Sequence, residues 1–376
     1  MVNLLALGLA TLFPALVSCT REPVQISSLA QDAPSVARFT SESSGLDAPM
    51  VSSINGSSFD WWYFDVVSTE DAQPKSSVVV TFFTSSQAAF PLLGPAPNGN
   101  VLPVYLWVNY PDGTEQTIIT YATGAAVSAE GDHANGVWEG TGFSFTGIGK
   151  GGKYVVEIDA PELGVKGSIS FQPRAPAHYP CGPVKAGQNL QVGPHIGWSN
   201  AIPDAKSKVH LLVNGTTLAF TGAGYHDKNW SDQPFTTEVA SWYWGHGQVG
   251  DYSIVWFDFL DTSGAEFVSA YASRLGKVVS ESCVLGSISV RPSGANATYP
   301  PTISTPNPTG YAITLPIKGG DVLKVDVSVT QQLIGANPLY MRSVGTMSGV
   351  VHTKHGKKKG GDMSGIALFE QFKLTQ

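Results

Sequence analysis

The stretch "SFDWWYFDVV", Ser58 to Val67, sets two tryptophans and a tyrosine side by side between carboxylates at Asp60 and Asp65. Neighbouring residues of a strand point to opposite faces. Trp61 and Tyr63 therefore face one way, and Asp60, Trp62 and Phe64 the other. An antiparallel sheet wet on one side alternates apolar with polar residues, whereas here both faces are rich in rings. Two readings fit: a strand buried on both sides in ordinary cores, or a strand with one face in a core and the other in an aromatic-lined cavity.

Around this stretch, strand signals follow one another: "SSVVVTFFTSS" (Ser76–Ser86), "VLPVYLWVNY" (Val101–Tyr110) with the turn "PDG" after it, "EQTIITYA" (Glu115–Ala122), "KYVVEIDA" (Lys153–Ala160) and "VKGSISF" (Val165–Phe171). "KVHLLVNGTTLAF" (Lys208–Phe220) reads as a hairpin with Asn-Gly at its tip. "DYSIVWFDFLD" (Asp251–Asp261), "KVVSESCVLGSISV" (Lys277–Val290) and "DVLKVDVSVTQQL" (Asp321–Leu333) complete the series, and no long stretch shows a helical apolar stripe. Many short strands split by turn residues predict an all-β barrel or sandwich. The Ser58–Val67 stretch is echoed by "SWYWGHGQV" (Ser241–Val249), and each is followed by a strongly apolar strand. The repeat predicts two related β-barrels in tandem, residues 51–222 and 223–376, after a leader over residues 20–50 that crosses the surface.

The 376 residues suffice for two domains or one large barrel. Only 14% of residues are charged, the net charge is −7 and there is no long basic run, which argues against a nucleic-acid groove. The one basic cluster, "HTKHGKKKGG" (His352–Gly361), reads as a solvated hairpin tip. The apolar N-terminus, followed by small residues and then charge, resembles a signal peptide over residues 1–19, too short for a stable membrane span. That predicts entry into the secretory pathway, or a cytosolic protein if the leader does not function. Sequons at Asn55, Asn214, Asn229 and Asn296 fit the endomembrane route. Loss of Cys19 on cleavage would leave Cys181 and Cys283, which could pair in an oxidising compartment.

No Gly-x-Ser-x-Gly elbow, Walker loop or Cys-x-x-Cys is present. "GIGKGG" (Gly147–Gly152) fits a dinucleotide fingerprint by letter but leads into a strand, so it reads as a hairpin loop. His352 and His355 stand beside lysines that would repel a cation. No cofactor or metal is expected. Two clusters carry the dense chemistry. "GYHDKNW" (Gly224–Trp230) packs four hydrogen-bonding residues between two rings, either as a mutually satisfied junction network or as a site. "SWYWGHGQ" (Ser241–Gln248) puts Trp242, Trp244 and His246 on one face ahead of a glycine bend, again either core or site. All nine tryptophans lie between Trp61 and Trp256, a concentration suited to a cavity for a flat or polyunsaturated ligand.

"FDWWYFD", "GYHDKNW" and "WYWGHGQVGDYSIVWFD" together resemble the superfamily of two lipocalin-like domains that includes carotenoid hydratases of the hydroxyneurosporene-synthase type. Within it the chain is most similar to fungal Diels–Alderases of polyketide–amino-acid hybrid pathways. The resemblance spans roughly residues 55–376. It implies a substrate held near the junction of two barrels, no cofactor, and an intramolecular cyclisation of a linear polyene of tetramic-acid or pyrrolinone type supplied by upstream biosynthetic enzymes. Such a reaction needs folding of the guest more than proton transfer, and orientation alone can contribute about 7–11 kcal/mol. On this reading Trp61, Tyr63, Trp230, Trp242 and Trp244 shape the cavity. His226, Asn229, His246 and Thr84 offer polar contacts to a conjugated carbonyl. Tyr340 or Lys354 meets an acidic head group. Asp60, Asp65 and Asp227 read first as structural acceptors. Asn229 cannot both carry a glycan and line a pocket, and the unglycosylated state is favoured. Two rivals stand beside this reading. One is a terpenoid or carotenoid hydratase or isomerase, which needs Asp60, Asp65 or Asp227 as a desolvated acid. The other is a non-catalytic carrier.

Overall fold

The structure, a computed structural model, describes residues 22–70, 75–149, 151–295, 297–335 and 338–375. The apolar N-terminal stretch with Cys19 and the Asn296 sequon lie outside them. Two large antiparallel sheets, of 15 and nine strands, carry nearly the whole chain, each curled around its own core. The architecture is all-β, two lipocalin-like barrels in tandem. In the first sheet the Phe59–Ser68 strand pairs with Ser77–Ser85 on one side and Thr216–Ser231 on the other. In the second, Val239–Val249 is flanked by Tyr252–Asp261 and Lys358–Lys373. The sequence echo thus corresponds to an interior strand of each sheet and the hairpin partner that follows it.

Alternation along Phe59–Ser68 resolves the two readings of that strand. Trp62, Phe64 and Val66 enter the first barrel's core, whereas Phe59, Trp61, Tyr63 and Val67 enter a separate apolar cluster between the barrels. The Val239–Val249 strand does the same from the other side: Tyr243 and Val249 pack into the second barrel, while Trp242 and Trp244 join the shared cluster. These two strands face each other across an aromatic layer. Gly245 and Gly247 do not bend this strand, which continues regularly to Val249. They allow close packing instead, since a Cβ at Gly245 would lie 2.3 Å from Cζ2 of Trp256.

Three details differ from the sequence reading. The Thr216–Ser231 strand runs unbroken through position 222, because all of Gly222–Ser231 pairs with Phe59–Ser68. The crossing to the second sheet comes after Ser231, through Phe235–Glu238. Lys277–Val290 is two strands, Lys277–Ser282 and Ser289–Ser293, with Cys283 between them. The leader also does more than cross the surface. Leu46, Asp47 and Met50 are buried against the first barrel. The Asp47 carbonyl accepts the indole N–H of Trp62, and the Arg38 carbonyl accepts that of Trp230. Two buried indoles find their partners only because this segment covers them.

Cys181 and Cys283 form a disulfide across 102 residues of sequence, tying the first half of the chain to the second sheet. Closing so long a loop removes chain entropy from the unfolded state, a gain of about 2–4 kcal/mol in typical cases. Replacing both cysteines by serine is expected to lower the thermal midpoint by several degrees. A midpoint within one degree of the fully oxidised parent would show that the link contributes nothing.

Candidate active site

The junction cluster is not filled. A cavity of about 280 Å³ lies within it. Trp61 and Tyr63 of the Phe59–Ser68 strand form one wall, continued by Thr81 and Phe83 of Ser77–Ser85 and by Tyr105 and Trp107 of Pro103–Asn109. Trp242 and Trp244 face them from the second sheet, with Phe372 beside them. Tyr63 and Trp244 meet edge to face across the junction, their centroids 5.4 Å apart. Leu92, Trp107 and Ile334 are the partly exposed members of the lining.

Polar groups enter this apolar chamber at few places. The first is the Thr216–Ser231 strand, where "GYHDKNW" obeys period two. Tyr225, Asp227 and Asn229 face the junction, whereas His226, Lys228 and Trp230 face the first barrel's core. Asp227 and Asn229 line the cavity. Asp227 Oδ2 accepts the indole N–H of Trp198 at 2.8 Å and the hydroxyl of Tyr225 at 2.7 Å. Among the described residues Oδ1 accepts no hydrogen bond. Burial pushes the Asp227 carboxyl up to about 7 against the lowering effect of those two donors, and the nearby Glu370 carboxylate adds to the rise. A neutral carboxylic acid with its carbonyl side saturated presents its O–H from the other oxygen. The arrangement can therefore donate a proton into an apolar chamber near neutral pH. Asn229 Nδ2 donates to the Gly197 carbonyl at 3.2 Å, and its burial supports the unglycosylated state.

The second polar group comes from the adjacent strands Tyr340–His352 and Lys358–Lys373, where Arg342 and Glu370 are register partners. Arg342 Nε donates to Glu370 Oε1 at 2.7 Å, and the Tyr340 hydroxyl donates to the same oxygen at 2.7 Å. The Arg342 guanidinium lies over the Trp107 ring at 4.5 Å. Burial disfavours its charge, but Tyr340, Tyr63 and Glu370 outweigh that and hold its pKa above the usual value. Burial likewise raises the Tyr63 and Tyr340 hydroxyls well above the phenol range, so both stay protonated.

Of the residues singled out in the sequence, Trp61, Tyr63, Asn229, Trp242, Trp244 and Tyr340 come together around the cavity. The others do not. Thr84 points to the opposite face of its strand and donates to the Asp60 carbonyl at 3.0 Å; Thr81, in step with Trp61 and Tyr63, lines the chamber instead. Trp230 packs in the first barrel's core. His226 is buried there too, between the Tyr63 carbonyl at 2.9 Å and Asp47 Oδ2 at 3.0 Å, with Phe64 stacked on it at 3.8 Å. His246 shares a face with Trp244 but lies beyond the cavity. Its Nε2 meets Asp65 Oδ2 at 2.8 Å, linking the two sheets, and Tyr225 stacks on its ring. Lys354 is exposed in the turn between the last two long strands. Asp60 and Asp65 are structural acceptors, as expected from the sequence. Arg342 and Glu370 were missed. Their signal was a lone charge inside an apolar strand, in "LYMRSV" and "ALFEQF". Among the described residues no three or more His, Cys, Asp or Glu side chains are grouped so as to hold a metal ion, and no helix is long and apolar enough to cross a membrane.

Comparison with known proteins agrees with this architecture. The crystal structure of CghA superposes with a TM-score of 0.74 at 17% identity, over 94% of this chain and 98% of that one. The quinolone epoxide rearrangement protein asqO of Emericella nidulans is 34% identical over 89% of this chain and 88% of its own length. The Diels-Alderase ucsH of an Acremonium species is 28% identical over 65% of this chain and 61% of its own. The family described as Diels-Alderase-like matches residues 18–289. The chain is an enzyme of the Diels-Alderase-like family.

Proposed function

We propose that the protein isomerises an epoxide borne by a compact, flat aromatic substrate, with Asp227 as the proton donor. The observation that carries this reading is a carboxyl held near pH 7 with an unengaged oxygen on an aromatic chamber. Asp227 Oδ1–H donates to the epoxide oxygen, and one C–O bond breaks as positive charge develops on carbon. The rings of Trp61, Tyr63 and Trp244 stabilise that charge electrostatically, and the largely apolar walls offer water few partners from which to capture it. Migration of a neighbouring group, or attack by an internal one, quenches the cation. The proton then released returns to the Asp227 carboxylate, so product and substrate have the same composition. The relative with matched length on both sides is named for an epoxide rearrangement on a quinolone, which supports the class. The cavity's size supports a compact guest, since about 280 Å³ lies at the low end of ligand pockets, roughly 300–1,000 Å³.

A second reading is the intramolecular Diels–Alder cyclisation of a polyenoyl tetramic acid. The family description and the Diels-Alderase relative favour it. There the same chamber folds diene onto dienophile, and Asp227–H would only polarise a carbonyl.

The two are separated by incubating the full chain with a quinolin-2-one carrying a side-chain epoxide, and separately with a linear polyenoyl tetramic acid. Rearrangement of the first to a product of equal mass, without ¹⁸O uptake from labelled water, is expected. An untouched epoxide together with enzymatic cyclisation of the polyene would overturn the epoxide reading. On whichever substrate turns over, Trp244→Ala removes a wall of the chamber and is expected to relax the ratio of isomeric products by roughly tenfold. An unchanged ratio would move Trp244 from the wall to the packing.

A further inference from the structure

Arg342 and Glu370 both line the cavity, and each has hydrogen-bonding capacity that nothing described so far uses. Arg342 spends only Nε on Glu370, and its Nη1 is buried without a partner among the described residues. A guanidinium carries five N–H donors, and leaving those of a buried charged group unmatched is costly. Glu370 Oε1 takes both the Arg342 and the Tyr340 bonds, and Oε2 takes none among the described residues. One face of the guanidinium plane is covered by Trp107, and Tyr63 lies 5.5 Å away. Its in-plane N–H edge is therefore what remains for a ligand.

From this we infer that Arg342 and Glu370 form a subsite for a secondary lactam edge: the ligand's ring carbonyl accepts from the free N–H edge of the Arg342 guanidinium, and its ring N–H donates to Glu370. The charges select this chemistry. Arg342 and Glu370 already neutralise each other, so a full anion would gain the guanidinium only by facing an uncompensated carboxylate. A neutral edge with one acceptor and one donor satisfies both side chains at once. Cross-strand register fixes the spacing of the two groups, because both lie on paired strands rather than on loops. Of the two residues that the sequence offers for a head group, Tyr340 lines the chamber and bonds Glu370, whereas Lys354 is exposed in a turn outside it.

The inference rests on the junction cavity being the substrate site, but not on Asp227 as the acid, and its test involves no turnover. Trp61, Trp107, Trp242 and Trp244 line the cavity, so the fluorescence of the full chain reports occupancy. Titrations with quinolin-2(1H)-one, its N-methyl analogue and 2-naphthoate compare a lactam, a lactam without its N–H and a flat anion. The parent lactam is expected to bind at least tenfold more tightly than either comparator, the scale of one hydrogen bond to a charged group. Arg342→Lys, which keeps the charge but loses the planar edge, is expected to weaken lactam binding about tenfold. N-methyl binding within threefold of the parent, or naphthoate binding more tightly than the lactam, would overturn the assignment. Neither comparison needs a variant to fold.

Discussion

Asp227→Asn is expected to lower the turnover of the full chain by two to four orders of magnitude, the usual contribution of a positioned general acid. Asparagine keeps the shape, and its oxygen can still accept from Trp198 and Tyr225, as Asp227 Oδ2 does. What it loses is the proton. In the parent, the acid form predominates below about pH 7, so the rate should fall tenfold per pH unit above that value. The variant's residual rate should lack this limb. Stability supplies a second readout. The folded carboxyl titrates above its unfolded value of 3.8, so between about pH 4 and 7 the native state binds the extra proton. Its contribution therefore declines as pH rises through that window and is constant above it. The variant should lack this slope while retaining the same cavity. A variant within threefold of the parent rate, with the alkaline limb intact, would remove Asp227 from the chemistry. It would also shift the balance toward a cyclisation driven by orientation.

Lys228→Met should cost the fold about 3–5 kcal/mol, the scale of breaking one side of a buried ion pair. Lys228 is fully buried in the first barrel, and its Nζ lies 2.9 Å from Asp60 Oδ2 and 2.7 Å from the Ala48 carbonyl. The same ammonium lies over the Trp62 ring at 4.1 Å. Burial shifts the two partners toward neutrality, raising Asp60 and lowering Lys228, while each pulls the other back. Removing the lysine leaves the Asp60 carboxylate in an apolar interior with the Met50 N–H still directed at it. The double variant Lys228→Met/Asp60→Asn should recover much of the loss, because a neutral amide can still accept from Met50. The urea midpoint measures both. A single variant less than 1 kcal/mol below the parent would mean that the carboxyl is already protonated in the folded protein.

This pair also shows how far the sequence could be read. "GYHDKNW" was visible as a dense polar cluster, and the alternation of a strand would have divided it into Tyr225, Asp227 and Asn229 on one side and His226, Lys228 and Trp230 on the other. Grouping the cluster as one site assigns Trp230 to the wall of the chamber and His226 to its polar contacts, where parity forbids both to join Asn229. Parity likewise turns Thr84 away from the chamber and Thr81 toward it. Arg342 and Glu370 stand 28 positions apart on strands whose pairing no local pattern announces, and each looked like an isolated charge.

By itself the amino-acid order determined the all-β class, the tandem of two aromatic-centred sheets, and the two-sided burial of Phe59–Ser68. These follow from the period-two geometry of a strand and from turn chemistry, which are local. Only the tertiary structure decided which side of each strand became core and which became chamber. It likewise selected Asp227, among three candidate carboxyls, as the one that faces the cavity. Those outcomes depend on register and on the docking of one sheet against another, contacts between residues far apart in the chain. Burial, which sets both a carboxyl's proton affinity and a guanidinium's unmet bonds, exists only once that docking is complete.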